Sequence, residues 1–201
     1  MGCFLLMAPL QPINSPDLAA AQAARTIALQ MLEERGRGAV LVGVARVDTA
    51  IEHLLQAVLA PGDERRDSLF QPDRPLGSLG AKVALARRLG LIDEPVAQAI
   101  NALRKLRNTF AHSAGSASLA DPSHSTRLQE AYDHARLNSL WGPLEAALSS
   151  QPESSQGELD PCLRDYILLI TILVAFLEAT AQQLSPLEPP VLMSFSGIVK
   201  N

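Results

Sequence analysis

The stretch Leu103-Arg104-Lys105-Leu106-Arg107-Asn108-Thr109-Phe110-Ala111-His112-Ser113 decides the fold. It completes an apolar stripe in which Val96, Ile100, Leu103, Leu106 and Phe110 recur at spacings of three and four, the period that gathers side chains on one face of an α-helix. Asp93 offers an N-cap, Pro95 suits the first turn, and the small residues after His112 supply an end. The pattern predicts a helix capped by Asp93 and ending near His112.

Upstream, Ser78 to Leu89 reads as a short helix closed by Gly90. Between Gly62 and Gly77 the chain is polar and proline-bearing, with the mixed charge run Asp63-Glu64-Arg65-Arg66-Asp67, and reads as a loop. An apolar-periodic segment from Arg37 to Ala60 ends at Pro61-Gly62, and Ser15-Pro16-Asp17 opens a first helix over about 16–35 that Gly36 stops. Downstream, 113–125 is a Ser-, Ala-, Gly- and Pro-rich loop, 126–148 a weaker helix broken at Gly142-Pro143, and 149–157 a polar linker. Asp160-Pro161 opens a last helix to about 184, apolar on every side at its centre and so destined for the interior. The result is an all-α compact bundle of about six helices: an N-terminal extension 1–15, one domain over 16–184 and a proline-containing tail 185–201.

Composition agrees. The chain has 201 residues, 47% of them hydrophobic and only 4% aromatic, and unbranched Ala and Leu lose little rotamer freedom in helices. A net charge of −4 gives no global field for a phosphate backbone. Cys3 and Cys162 are too few for a disulfide framework and wrongly spaced for zinc, so a reducing, cytoplasmic setting is expected. The apolar start Met1–Met7 lacks the basic region of a secretory signal, and Leu6 stands where myristoylation needs Ser or Thr. The run from Ile167 to Leu177 is short of the ~20 residues that span a bilayer. No nucleotide-binding loop, metal-ligand set or helix-turn-helix reader stands out, so neither cofactor nor metal is expected and direct sequence-specific DNA reading is not predicted. His124, His134 and His53 read as surface residues, and Trp141 as a packing anchor.

Two charges fall on apolar faces. On the wheel Arg107 lies roughly 50° from the middle of its helix's stripe, and Asp48 sits within the stripe Val40, Leu41, Val44, Val47, Ile51, Leu54, Leu55 and Val58. A lone buried charge costs several kcal/mol, so Asp48 and Arg107 are expected to pair across the two helices. Such a pair either fixes register or marks a pocket.

Asn108 and His112 are four apart on one ridge, whereas Arg107 points about 140° from His112 unless the helix bends. A guanidinium can steady a scissile phosphate while an imidazole exchanges a proton with a ribose hydroxyl, which would be metal-independent RNA cleavage. The plainer role for His112 is to cap the helix C-terminus.

The order and spacing of several stretches resemble the mannitol-repressor family. These are Leu32 to Val42, Val47-Asp48, Leu54-Leu55, Arg74 to Lys82, Leu89 to Ile92 and Arg104 to His112, over roughly residues 30–113. That family is akin to HEPN domains, whose arginine-to-histidine signature is matched by Arg107 and His112 with Asn108 beside the arginine. The resemblance implies a helical, non-enzymatic regulator of transcription or metabolism acting through a protein partner or as a homodimer. It also implies an alternative, a metal-independent endoribonuclease acting on RNA, with Arg107, Asn108, His112 and Asp48 as the catalytic set. Gly77-Ser78-Leu79-Gly80 and the long C-terminal part depart from the family pattern.

Overall fold

The computed structural model describes residues 15–60, 68–113, 117–149, 160–186, 193–194 and 197–198. The expectations for 1–14, for the charge run 63–67 and for most of the 149–157 linker lie outside them. The chain forms α1 (Ser15–Val58), a 3-10 turn (Ser68–Phe70), α2 (Leu79–Arg88), α3 (Glu94–His112), α4 (Pro122–Arg136), α5 (Trp141–Ser149) and α6 (Pro161–Gln183). An all-α bundle is therefore observed. Its one sheet among the described residues is a two-residue antiparallel pairing in the tail, Met193 with Ile198 and Ser194 with Gly197.

The helical span runs from Ser15 to Val58, yet the chain doubles back inside it. Arg46 donates to Gln30 Oε1 at 2.6 Å across sixteen residues, a separation of about 24 Å on a straight helix. A Cβ placed on Gly43 would lie 3.1 Å from Met31 Sδ. The corner is Gly36, at φ +43°, a conformation that costs an L-residue about 1–2 kcal/mol and glycine nothing. Gly36, expected to stop a first helix at about 35, instead turns the chain back with no loop between the two arms of α1.

The second arm of α1 lies beside α6. The Tyr166 hydroxyl donates to Val40 O at 3.0 Å, a Cβ on Gly43 would come within 3.1 Å of Ile170, and His53 Nδ1 lies 2.8 Å from Glu178 Oε1. Both numbers of each pair rise together, so these two helices run parallel. The apolar run of α6 forms the centre of the molecule, with Tyr166 to Val174 and Leu177 buried. No described helix is long and apolar enough to cross a membrane.

α3 runs the other way, with Arg37 at the start of the second arm reaching Ala111 O at its end. Its stripe Ile100, Leu103, Leu106 and Phe110 is fully buried. The caps of α2, α3 and α6 fall on Ser78, Asp93 and Asp160, whose side chains accept from Ala81, Val96 and Cys162. The loop expected before Gly77 contains the 3-10 turn, which buries Phe70. α4 starts earlier than expected because Asp121 caps it and Pro122 fits its first turn. The Gly142-Pro143 break is instead the first turn of α5, where a proline costs no hydrogen bond.

Candidate functional site

The last two turns of α3 carry the predicted constellation, and all three of its side chains there, Arg107, Asn108 and His112, are exposed. The helix is regular to its end: Ser113 N–H donates to Thr109 O at 3.0 Å, and the hydroxyls of Thr109 and Ser113 bond back to Lys105 O and Thr109 O. Without a bend, Arg107 and His112 stay about 140° apart around the axis. None of Arg107, Asn108 and His112 makes a side-chain hydrogen bond or ion pair with the described residues. The capping role open to His112 falls to Arg37, which donates to Ala111 O at 2.9 Å and Ser113 O at 3.4 Å.

Asp48 does not pair with Arg107. Its partner is Lys82 of α2, whose Nζ donates to Asp48 Oδ1 at 2.8 Å and to Glu52 Oε2 at 2.6 Å. Lys82 is only 4% exposed, and its ammonium stands 6.0 Å from the Phe70 ring centroid. Arg107, about 50° off the middle of the stripe, is exposed, as a long charged side chain at the edge of an apolar face can be. Burial opposes the charge on Lys82, but the hydrogen bonds and charges of Asp48 and Glu52 outweigh it and raise the pKa above the ordinary lysine value. The wheel that picked out Asp48 would also have found Lys82, since Leu79, Lys82, Val83 and Ala86 make the buried face of α2.

His124 is buried rather than on the surface, its ring 5.2 Å from Phe110 and its Nδ1 2.8 Å from Ser118 O. It ties the 117–121 turn to α3. Trp141 is buried as an anchor beneath the Arg136 guanidinium, 5.5 Å from the ring centroid, and Arg136 also reaches Asp165 at 2.6 Å. Among the described residues no three His, Cys, Asp or Glu side chains are grouped to hold a metal ion.

A groove of about 750 Å³ opens elsewhere, between the start of α3, the second half of α4 and the C-terminal half of α6. Its walls include Val96, Ala99, Ala135, Leu173 and Leu177, with Phe176 on its edge 47% exposed. The sequence did not disclose it, because a groove depends on how far apart the helices stand. The motif residues Arg107 and His112 are not among its lining. No protein-family profile, no characterised protein and no solved structure matches the chain.

Proposed function

We propose that the chain is a non-enzymatic regulatory module of mannitol-repressor-like type, acting in transcriptional or metabolic control through protein contacts. The observation that carries this reading is the state of Arg107 and His112: both are exposed on an unbent helix, with no side chain among the described residues orienting either. A general acid or base needs a fixed position relative to the group it serves, within hydrogen-bond reach. Here Asp48, the fourth member of the catalytic alternative, is engaged by Lys82 instead. The groove, lined mainly by apolar side chains, suits contact with protein.

Deletion of the gene followed by transcript profiling on different carbohydrates tests this. The expected result is altered expression of a carbohydrate-uptake operon that Arg107→Ala and His112→Ala chains restore as well as the wild type. Unchanged transcripts on every carbon source, or rescue lost in these folded variants, would count against it.

A further inference from the structure

We infer that the C-terminal half of α3 is a cationic docking surface for an acidic segment of a partner protein, engaged through Arg104, Lys105 and Arg107. The helix opens with one acid, Glu94, in its first turn, and none follows as far as Ser113. Lys105 and Arg107 are exposed and Arg104 partly so. The cations of the ion pairs among the described residues are His53, Lys82, Arg87, Arg136 and Arg164. The three α3 cations therefore face no carboxylate among those residues, although the whole chain carries more acids than bases, 21 against 17.

Helix stability does not account for these charges. A helix C-terminus favours cations only in its last turn, and the basic residue there is His112. Like charges three residues apart, as Arg104 and Arg107 are, oppose the helix slightly, and an acid at one of these positions would form a favourable pair instead. Together with Asn108 the three cations fan over about 160° of the helix surface, forming one face.

Two neighbours extend and stiffen that face. Arg37 donates to Ala111 O at 2.9 Å and Ser113 O at 3.4 Å, which sets a further guanidinium at the end of the same helix. Arg104 Nε is closed off from solvent with no hydrogen-bond partner among the described residues, and a Cβ on Gly80 would lie 3.7 Å from it. Glycine at that point lets the arginine lie against the first turn of α2, so it has less freedom left to lose on meeting an anion.

Charge complementarity calls for an anionic occupant, and two observations favour carboxylates over a nucleic-acid backbone. A long polyanion would run beyond this face onto a chain of net charge −4, which repels it, whereas a short acidic segment meets the face alone. Proteins grip single-stranded nucleic acid by stacking its bases on aromatic side chains, and the aromatic residue in this half of α3, Phe110, is fully buried. An arginine fork suits a carboxylate, which it can hold through two parallel hydrogen bonds. The face stands apart from the groove, whose share of α3 ends at Ala99, so the inference goes beyond the regulatory reading and can fail without it.

Fluorescence anisotropy with a labelled, end-blocked peptide of about ten glutamates is the test, with circular dichroism to confirm the fold of each variant. The wild type is expected to bind with a Kd of about 10–100 μM at low salt, weakening as salt rises to about 150 mM. Lys105→Gln and Arg107→Gln should each weaken binding about threefold, the scale of one exposed ion pair, and the triple neutralisation of Arg104, Lys105 and Arg107 about 30-fold. Should the triple variant not fold, Lys105→Gln with Arg107→Gln, both at exposed positions, carries the comparison. Neutralising Arg25, Arg88 and Arg127 instead, exposed on α1, α2 and α4, removes the same charge and should leave binding within about twofold. No binding up to about 1 mM peptide, or equal losses in the two triple variants, would overturn the inference. So would a labelled RNA decamer that binds the same residues more tightly than the peptide does.

Discussion

Lys82 shows how a single side chain can settle a neighbourhood. Its four carbons lie among core residues while its ammonium is held by two carboxylates that are each about one third exposed, Asp48 at 33% and Glu52 at 29%. Replacing it with Met keeps the stem but leaves two like charges facing each other, at an expected cost of about 2 kcal/mol in urea unfolding at neutral pH. Because the folded pKa of Lys82 is raised, the stabilisation is full below the ordinary value of 10.5 and is lost as pH climbs through the higher folded value. As pH is raised from neutrality, the gap between wild type and Lys82→Met should therefore narrow through the folded value of Lys82. A gap that closes on acidification to about pH 6, well above ordinary carboxylate pKa values, would contradict the assignment. The presence of a buried charge was legible at Asp48, whose position on an apolar face demanded a cation. Its identity was not, because a helix wheel gives direction without reach: Arg107 and Lys82 both qualified, and the partner was decided by which helix packs against α1 at that level.

Among the elements, α1 was the hardest to foresee in its details. Gly36 was visible as an interruption, yet nothing local distinguishes a helix that stops from one that reverses within a single residue. The reversal becomes apparent only when Met31, Gly43 and Tyr166 are seen together. Gly43 allows the two arms and α6 to approach: a Cβ there would lie 2.7 Å from the Tyr166 hydroxyl and 3.1 Å from both Met31 Sδ and Ile170 Cγ1. Gly43→Ala should cost about 1–3 kcal/mol by overpacking despite the better helix propensity of alanine. Gly36→Ala, with open space around it, should lose only about 1 kcal/mol, through backbone strain. Thermal or denaturant unfolding of the two variants separates the mechanisms. A stabilised Gly43→Ala would mean that the arms do not meet there. The other helices were better marked, because caps are local: Ser78, Asp93 and Asp160 announce their helices without help from tertiary structure. At α4 and α5 the signal misled in two ways. Asp121-Pro122 is a cap placed inside a stretch that composition alone makes loop-like, and Gly142-Pro143 opens a helix where it suggested a break.

For the molecule as a whole, the helix class, the central place of α6 and the buried stripe of α3 follow from periodicity and apolar length. The direction of packing, α6 parallel to the second arm of α1 with α3 opposed, does not, since sequence spacing leaves neighbour choice open. The candidate site divides along the same line. Arg107, Asn108 and His112 could be found by motif, but their exposure, and the absence of orienting partners among the described residues, required the packed structure, as did the groove. The proposal that this motif is not a catalytic centre is open to a direct test. Incubating the purified chain with labelled single-stranded RNA in EDTA tests it most directly, with His112→Ala and Arg107→Ala in parallel. The account predicts intact RNA in all three samples, whereas metal-independent cleavage by the wild type that disappears in His112→Ala would contradict it.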